Sequence, residues 1–232
     1  MRDGVPAPCT LDIPATAVRT EDNTVTMAAR SVGFASGSPS VESTGGVSFG
    51  AVVKPDTQMW LTGVVDNASL DRGDLVTAKF RVYNHAGKVI SQARESSRIW
   101  ADHPLVIPAL MKAPEGVTPA CATLEITVEP QPSVRAQLPP VTDLVIESQI
   151  LSTIDDREYA RLRLTNRSTR DVLKSRVDVV CTNADGRIVG GGEQLLPTIA
   201  AGRNRDVSVT LIIDGTVESC DVWSTALQIN GD

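Results

Sequence analysis

The chain has little of what most site chemistries need. Its 232 residues contain two histidines, three tryptophans, two tyrosines and three phenylalanines. So few imidazoles leave no room for most zinc sets or for the usual acid–base group at neutral pH. The formal net charge of −6 and the scarcity of stacking platforms argue against a nucleic-acid binder. No apolar run approaches the roughly 18 residues that a membrane span requires. A complete phosphate-loop motif is missing as well. Ser96, Ser97, Asp102 and His103 stand near one another in sequence, which does not by itself make a triad. The run Gly186-Arg187-Ile188-Val189-Gly190-Gly191-Gly192 lacks the Gly-Lys-Ser/Thr ending of a phosphate loop. It reads as a hairpin whose glycines allow a bulge or a close backbone approach. No catalytic residue and no cofactor are assigned.

What is present is β-pattern, and it occurs twice. In the second half, Tyr159 to Thr165 alternates apolar and polar residues, placing Leu162 and Leu164 on one face. Between Val172 and Thr182, Leu173, Val177, Val179 and Cys181 share a face, with Lys174, Arg176 and Asp178 on the other. Asn183-Ala184-Asp185-Gly186 is a hairpin turn. Val207, Val209, Leu211 and Ile213 form a further inward row, and a last strand is expected from about Cys220 to Ile229. Six or seven strands with turns at this spacing predict a β-sandwich, and no helix is expected. The first half repeats the pattern. Asn84-His85-Ala86-Gly87 stands for Asn183-Ala184-Asp185-Gly186, and Cys121 for Cys220, at a period of about 99 residues. The fold class expected is all-β, two tandem immunoglobulin-like β-sandwich modules with an extended N-terminal arm.

The boundaries follow from composition. Residues 1–45 form the arm, which ends in a Gly/Ser/Thr-rich stretch. Residues 46–129 are module one and residues 141–232 module two. Residues 130–140 carry four prolines and predict an extended, semi-rigid linker. Within the arm, the segments around Val25 and Met27 and around Val32 and Phe34 are each expected to make a short edge strand.

The four cysteines allow three pairings. Two tandem domains put Cys181–Cys220 within the second and Cys9–Cys121 within the first. The alternative is four buried thiols in a reducing cytosol. The even, two-per-domain count favours an oxidised, extracytoplasmic protein. Residues 1–8 lack the apolar core of a signal peptide, so a secreted chain is expected here in its mature form. Asp155, Asp156 and Glu158, with Asp71 and Asp74 in the equivalent turn of module one, are the only acidic clusters suited to calcium. A solvated turn is the favoured reading, since no EF-hand-type spacing exists. Asn67-Ala68-Ser69 and Asn166-Arg167-Ser168 have the form of glycosylation sequons, though a turn explains both. Trp223 lies opposite Cys220 and Val222 by strict alternation. It is read as core, with an interface between modules or with a partner as the alternative.

Leu164-Thr165-Asn166-Arg167-Ser168, Val177-x-Val179, Asp185-Gly186-Arg187-Ile188-Val189 and Ile199-Ala200-Ala201-Gly202 resemble the FxLYD-type immunoglobulin/fibronectin-III-like modules of secreted bacterial proteins. Leu144-Val145-Ile146-Glu147 stands where those modules carry their name-giving motif. The composition, rich in Ala, Thr, Arg and Asp and poor in Lys, resembles that of a GC-rich actinobacterium. The resemblance implies a spacer or binding unit without catalytic residues. The expectation is therefore a non-catalytic extracellular adaptor that engages protein partners through sandwich edges or loops and through its arm. There Val25, Met27, Val32 and Phe34 would add a strand to an open sheet. The alternative is a structural repeat of a surface fibre or of a virion or tail assembly.

Overall fold

A computed structural model describes residues 18–19, 25–33, 47–53, 58–66, 70–99, 103–135, 144–154 and 157–229. Fourteen strands and one helical turn follow in chain order. They are β1 (Val18–Arg19), β2 (Val25–Gly33), β3 (Val47–Val53), β4 (Gln58–Val65), β5 (Leu75–Asn84), β6 (Val89–Arg98), β7 (Leu105–Lys112) and β8 (Pro119–Glu129). After α1 (Pro132–Arg135) come β9 (Leu144–Ile154), β10 (Arg157–Asn166), β11 (Val172–Thr182), β12 (Ile188–Leu196), β13 (Asn204–Ile213) and β14 (Ser219–Ile229). The protein is an all-β sandwich, as the alternation predicts.

The repeat is visible strand by strand. Module one packs a sheet ordered β1-β2-β8-β5-β6 on a sheet ordered β3-β4-β7. Module two has the order β14-β11-β12-β13-β10-β9. With the shift of the sequence repeat, β3 to β8 fall on β9 to β14 in turn, and every counterpart pair of strands has the same neighbours save two differences. The first is that β12 and β13 are laddered through Gly190↔Ile213 and Gly191↔Ile212, which joins the two sheets of module two. Glycine is required there because a Cβ on Gly190 or Gly192 would overlap the carbonyl oxygens of Ile212 and Thr210. The glycine run is thus a close-approach site. The second difference is β2 with β1 beside it, neither of which has a counterpart in module two among the described strands.

The two hairpin turns match atom for atom. Gly87 N–H donates to Asn84 O and Gly186 N–H to Asn183 O, each at 2.9 Å. Asn84 Oδ1 accepts from the amides of Ala86 and Lys88, and Asn183 Oδ1 from those of Asp185 and Arg187. Gly87 and Gly186 both sit at φ 74°, a conformation glycine enters at no steric cost.

Each module has its own core. Val47, Phe49, Met59, Leu61, Phe80, Leu124 and Ile126 lead the first, and Leu162, Leu164, Val177, Val179, Val209 and Leu211 the second. A bulge in β11 near Lys174 shifts the inward row, so Val172 is fully buried and Leu173 is not. The linker differs from expectation. Pro132–Arg135 is a helical turn, with proline at its first position, where no amide donor is needed. Asp74 Oδ1 accepts from the Gln131 amide just before it.

The arm differs too. Val25–Gly33 is one strand, antiparallel to β8 of its own chain from Val25↔Val128 to Gly33↔Cys121. The register shifts between Thr26 and Ala28, so Met27 falls at the bulge.

Candidate functional site

The expected sites disperse. Val25, Met27 and Val32 lie in β2, whose main chain is engaged by β8; Phe34 lies outside the described residues. Cys181 and Cys220 are disulfide-bonded across the β11–β14 ladder, with Cα atoms 4.0 Å apart. Cys121 is also disulfide-bonded, and Cys9 lies outside the described residues. His103 Nδ1 is 2.9 Å from Pro104 O and Nε2 is 3.2 Å from Ser224 O, so both ring nitrogens are occupied by carbonyls rather than poised beside a hydroxyl. Asp102 is outside the described residues, as are Asp155 and Asp156. Among the described residues no group of three or more His, Cys, Asp or Glu side chains is placed to hold a metal. Asn166 is fully buried. Its amide donates to Arg170 O and Ile199 O, and its Oδ1 accepts from Ser168. The sequon form of Asn166-Arg167-Ser168 is thus a turn, with the acceptor nitrogen shut away from any enzyme.

The structure instead concentrates its unusual chemistry between the modules. On β4 the inward residues are Met59, Leu61 and Val65, and alternation sends Trp60, Thr62 and Val64 to the other face. The same rule turns Val52 of β3 and Val106 of β7 outward from module one, and Asp178 and Val180 of β11 outward from module two. These outer faces meet. Val52, Trp60, Val106, Val180 and Ile188 form a third buried cluster, against which Val64, Ile212 and Trp223 pack. Burying each of the four aliphatic members contributes about 1.5–3 kcal/mol. Trp223 therefore belongs to the surface between the modules and not to the core of module two; its alternation was legible, and only the neighbour beyond it was missing.

Two glycines make the fit. A Cβ on Gly50 would stand 2.5 Å from Ile188 Cγ2, and one on Gly191 2.5 Å from Trp60 Cη2. Either would force the faces apart.

A polar clasp lies in the same contact. Arg176 of β11 donates through Nε to Asp178 Oδ2 at 2.9 Å and through an Nη to Val106 O of module one at 2.7 Å. Asp178 is 1 % exposed. Its Oδ1, with Trp60 Nε1 and Thr62 Oγ1 on the opposing face, has no hydrogen-bond partner among the described residues. Burial pushes the Asp178 carboxyl from 3.8 up to about 7, Arg176 pulling the other way by charge and hydrogen bond and Glu193 adding repulsion. Glu193, cross-strand from Asp178, is also raised, by burial first and then by Glu95 of module one, against the pull of Arg176. Burial between the modules thus favours the protonated form of this carboxyl. Nothing in the clasp supplies a nucleophile beside a base. What it does is bond module two to module one, through Arg176 and Val106 O.

No protein-family model matches this chain, and no curated protein matches it in sequence. Among solved structures it is similar to a β-glucuronidase from glycoside hydrolase family 2, with TM-score 0.24 and 11 % identity over 69 % of this chain and 21 % of that one. It is also similar to a glycoside hydrolase family 2 member from Bacteroides cellulosilyticus DSM 14838, with TM-score 0.27 and 11 % identity over 75 % of this chain and 31 % of that one. The chain spans between a fifth and a third of the length of these structures. Likeness at this level carries no argument about activity or substrate.

Proposed function

We propose that this chain is a non-catalytic, extracytoplasmic binding protein that joins protein partners through the edges and loops of two sandwiches docked as a unit. The observation that carries the reading is the buried contact between the modules. The third apolar cluster and the Arg176 bond to Val106 O set the separation of surfaces on opposite modules, which suits a chain that must present two patches at a constant spacing. The Cys181–Cys220 disulfide and a second one at Cys121 support an oxidising compartment. Among the described residues no helix is long and apolar enough to cross a membrane. With β2 engaged on β8, the module edges rather than a free arm are the surfaces left for partners.

Affinity capture from secreted and cell-surface fractions of the producing organism tests this, with the wild-type chain beside a Gly50→Trp variant, whose side chain would meet Ile188 of the other module and block docking. The expected result is a heterologous protein recovered by the wild type and lost or weakened with the variant. Recovery of this chain alone, in a defined stoichiometry, would overturn the adaptor reading in favour of a structural fibre or tail subunit.

A further inference from the structure

Among the described strands β1 and β2 have no counterpart in module two, and the place of β2 marks an edge. Across the repeat β14 is the counterpart of β8, and β9 that of β3. In module one the outer edge of β8 carries β2, antiparallel. In module two β14 is laddered to β11 alone among the described strands. Its other edge meets β9, but through side chains. Gln149 Nε2 donates to Cys220 O at 3.1 Å, and Ser224 Oγ donates to Leu144 O at 3.0 Å. The six strands therefore nearly close on themselves, leaving a seam between β9 and β14.

The groups facing this seam can be identified. Cys181 and Cys220 are paired with Cα atoms only 4.0 Å apart, the close spacing of an antiparallel pair that exchanges no main-chain bonds. The N–H and C=O of Cys220 thus point away from β11, and by alternation those of Val222 and Ser224 do as well. The carbonyls of Cys220 and Ser224 meet Gln149 and His103 in agreement with this. Between them, Val222 presents both a donor and an acceptor.

We propose that the β9–β14 seam is a strand-acceptor site for one extended segment of a partner protein, lying antiparallel along β14 as β2 lies along β8. This deepens the adaptor reading, on which it rests, by naming the edge and the backbone chemistry that a partner would use. The internal repeat supplies the argument for the occupant: the same edge of the same fold, one module earlier, is filled by an antiparallel strand of nine residues. The side-chain bridges that now span the seam contribute about 0.5–1.5 kcal/mol each, and a ladder along Cys220, Val222 and Ser224 would replace them.

The test uses the full chain, residue-resolved amide exchange and one probe, a synthetic peptide of residues 23–35 that contains the β2 sequence. In the free protein the amides of Val222 and Ser224 should exchange fast, while those of Asp221 and Trp223, inside the β11 ladder, should exchange slowly. With peptide at about 100 times its Kd, protection at Cys220, Val222 and Ser224 is expected to rise about 100-fold. Ser224→Pro removes an outward donor without touching the β11 ladder; it should abolish this protection and leave Asp221 and Trp223 slow. Gln149→Ala, which removes one bridge, should tighten peptide binding several-fold. Three results overturn the proposal: amides of Val222 and Ser224 already protected in the free chain, protection by the peptide at β8 only, or unchanged binding in Ser224→Pro. Capture of a cellular partner equally by wild type and Ser224→Pro would overturn the seam while leaving the adaptor reading intact.

Discussion

Asp178→Asn should make this protein more stable at alkaline pH, although it deletes half of an ion pair. The carboxyl is buried between modules, and burial lifts it from 3.8 to about 7. A carboxyl that holds its proton to higher pH when folded than when unfolded stabilises the fold fully below about pH 4, and that stability is lost as pH rises through 7. A displacement of this size corresponds to about 4 kcal/mol across the window. Asparagine keeps the shape, stays neutral, and leaves Arg176 its bond to Val106 O. The variant and the wild type should therefore melt together near pH 4 and diverge steadily above it. By pH 8 the variant should lead by up to about 4 kcal/mol, roughly 10 °C for a chain of this length. Thermal melts of both proteins from pH 4 to pH 9 at constant ionic strength read this directly, and their difference cancels every carboxylate they share. A difference that stays flat with pH, or an asparagine variant less stable at pH 8, would refute the argument that desolvation outweighs the pull of Arg176.

Gly191→Ala puts a Cβ against Val179 O and the Trp60 ring and should cost about 1–3 kcal/mol in urea unfolding. Because Trp60 and Trp223 both lie at the contact between modules, its tryptophan emission should also shift to the red; unchanged emission would mean the modules can dock without that fit. Replacing Cys181 and Cys220 together by alanine opens a loop of sequence separation 39 and should cost roughly 4 kcal/mol, measured against wild type in denaturant; a non-reducing peptide map of wild type should also join Cys121 to Cys9, the one cysteine left over. Asn166→Ala removes the side-chain bonds to Arg170 O and Ile199 O and the acceptor used by Ser168, while Ser168 Oγ and the Val172 amide still reach those carbonyls; it should cost about 1–3 kcal/mol in a circular-dichroism melt, and the wild type secreted from a glycosylating host should carry no sugar at Asn166 by intact mass.

Much of the architecture is legible in local patterns because strands have a period of two and turns have strict backbone demands. Asn84 and Asn183 each start a turn that their own side chain closes, and Gly87 and Gly186 take the positive φ it needs, so the repeat announces itself without tertiary information. The same holds for Leu162 and Leu164, whose alternation reports a shared inward face. Where local pattern met a bulge it slipped by one residue, as at Val172 and Leu173, since nothing in the residues flags the extra position. The linker's helical turn was missed for a related reason: proline is compatible with an extended chain and with the first turn of a helix alike.

The candidate site was not legible, and the cause is the same periodicity. Alternation states that Trp60, Asp178, Val180 and Trp223 lie opposite their module's core; it does not state what lies beyond that face. A polar residue such as Asp178 reads as solvated because water is the usual neighbour, and the lone valine beside it is too common on sheet surfaces to signal a contact. By itself, then, the sequence determined two all-β modules, their repeat and their turns, all set by interactions among residues near in sequence or within one repeat, and it left the pairing of Cys181 with Cys220 as one of three. Only the tertiary structure decided that the outer faces meet, that Asp178 is desolvated there, and that β8 carries a strand which β14 lacks. Those facts depend on surfaces far apart in the chain, brought together by shape and burial that no local pattern encodes.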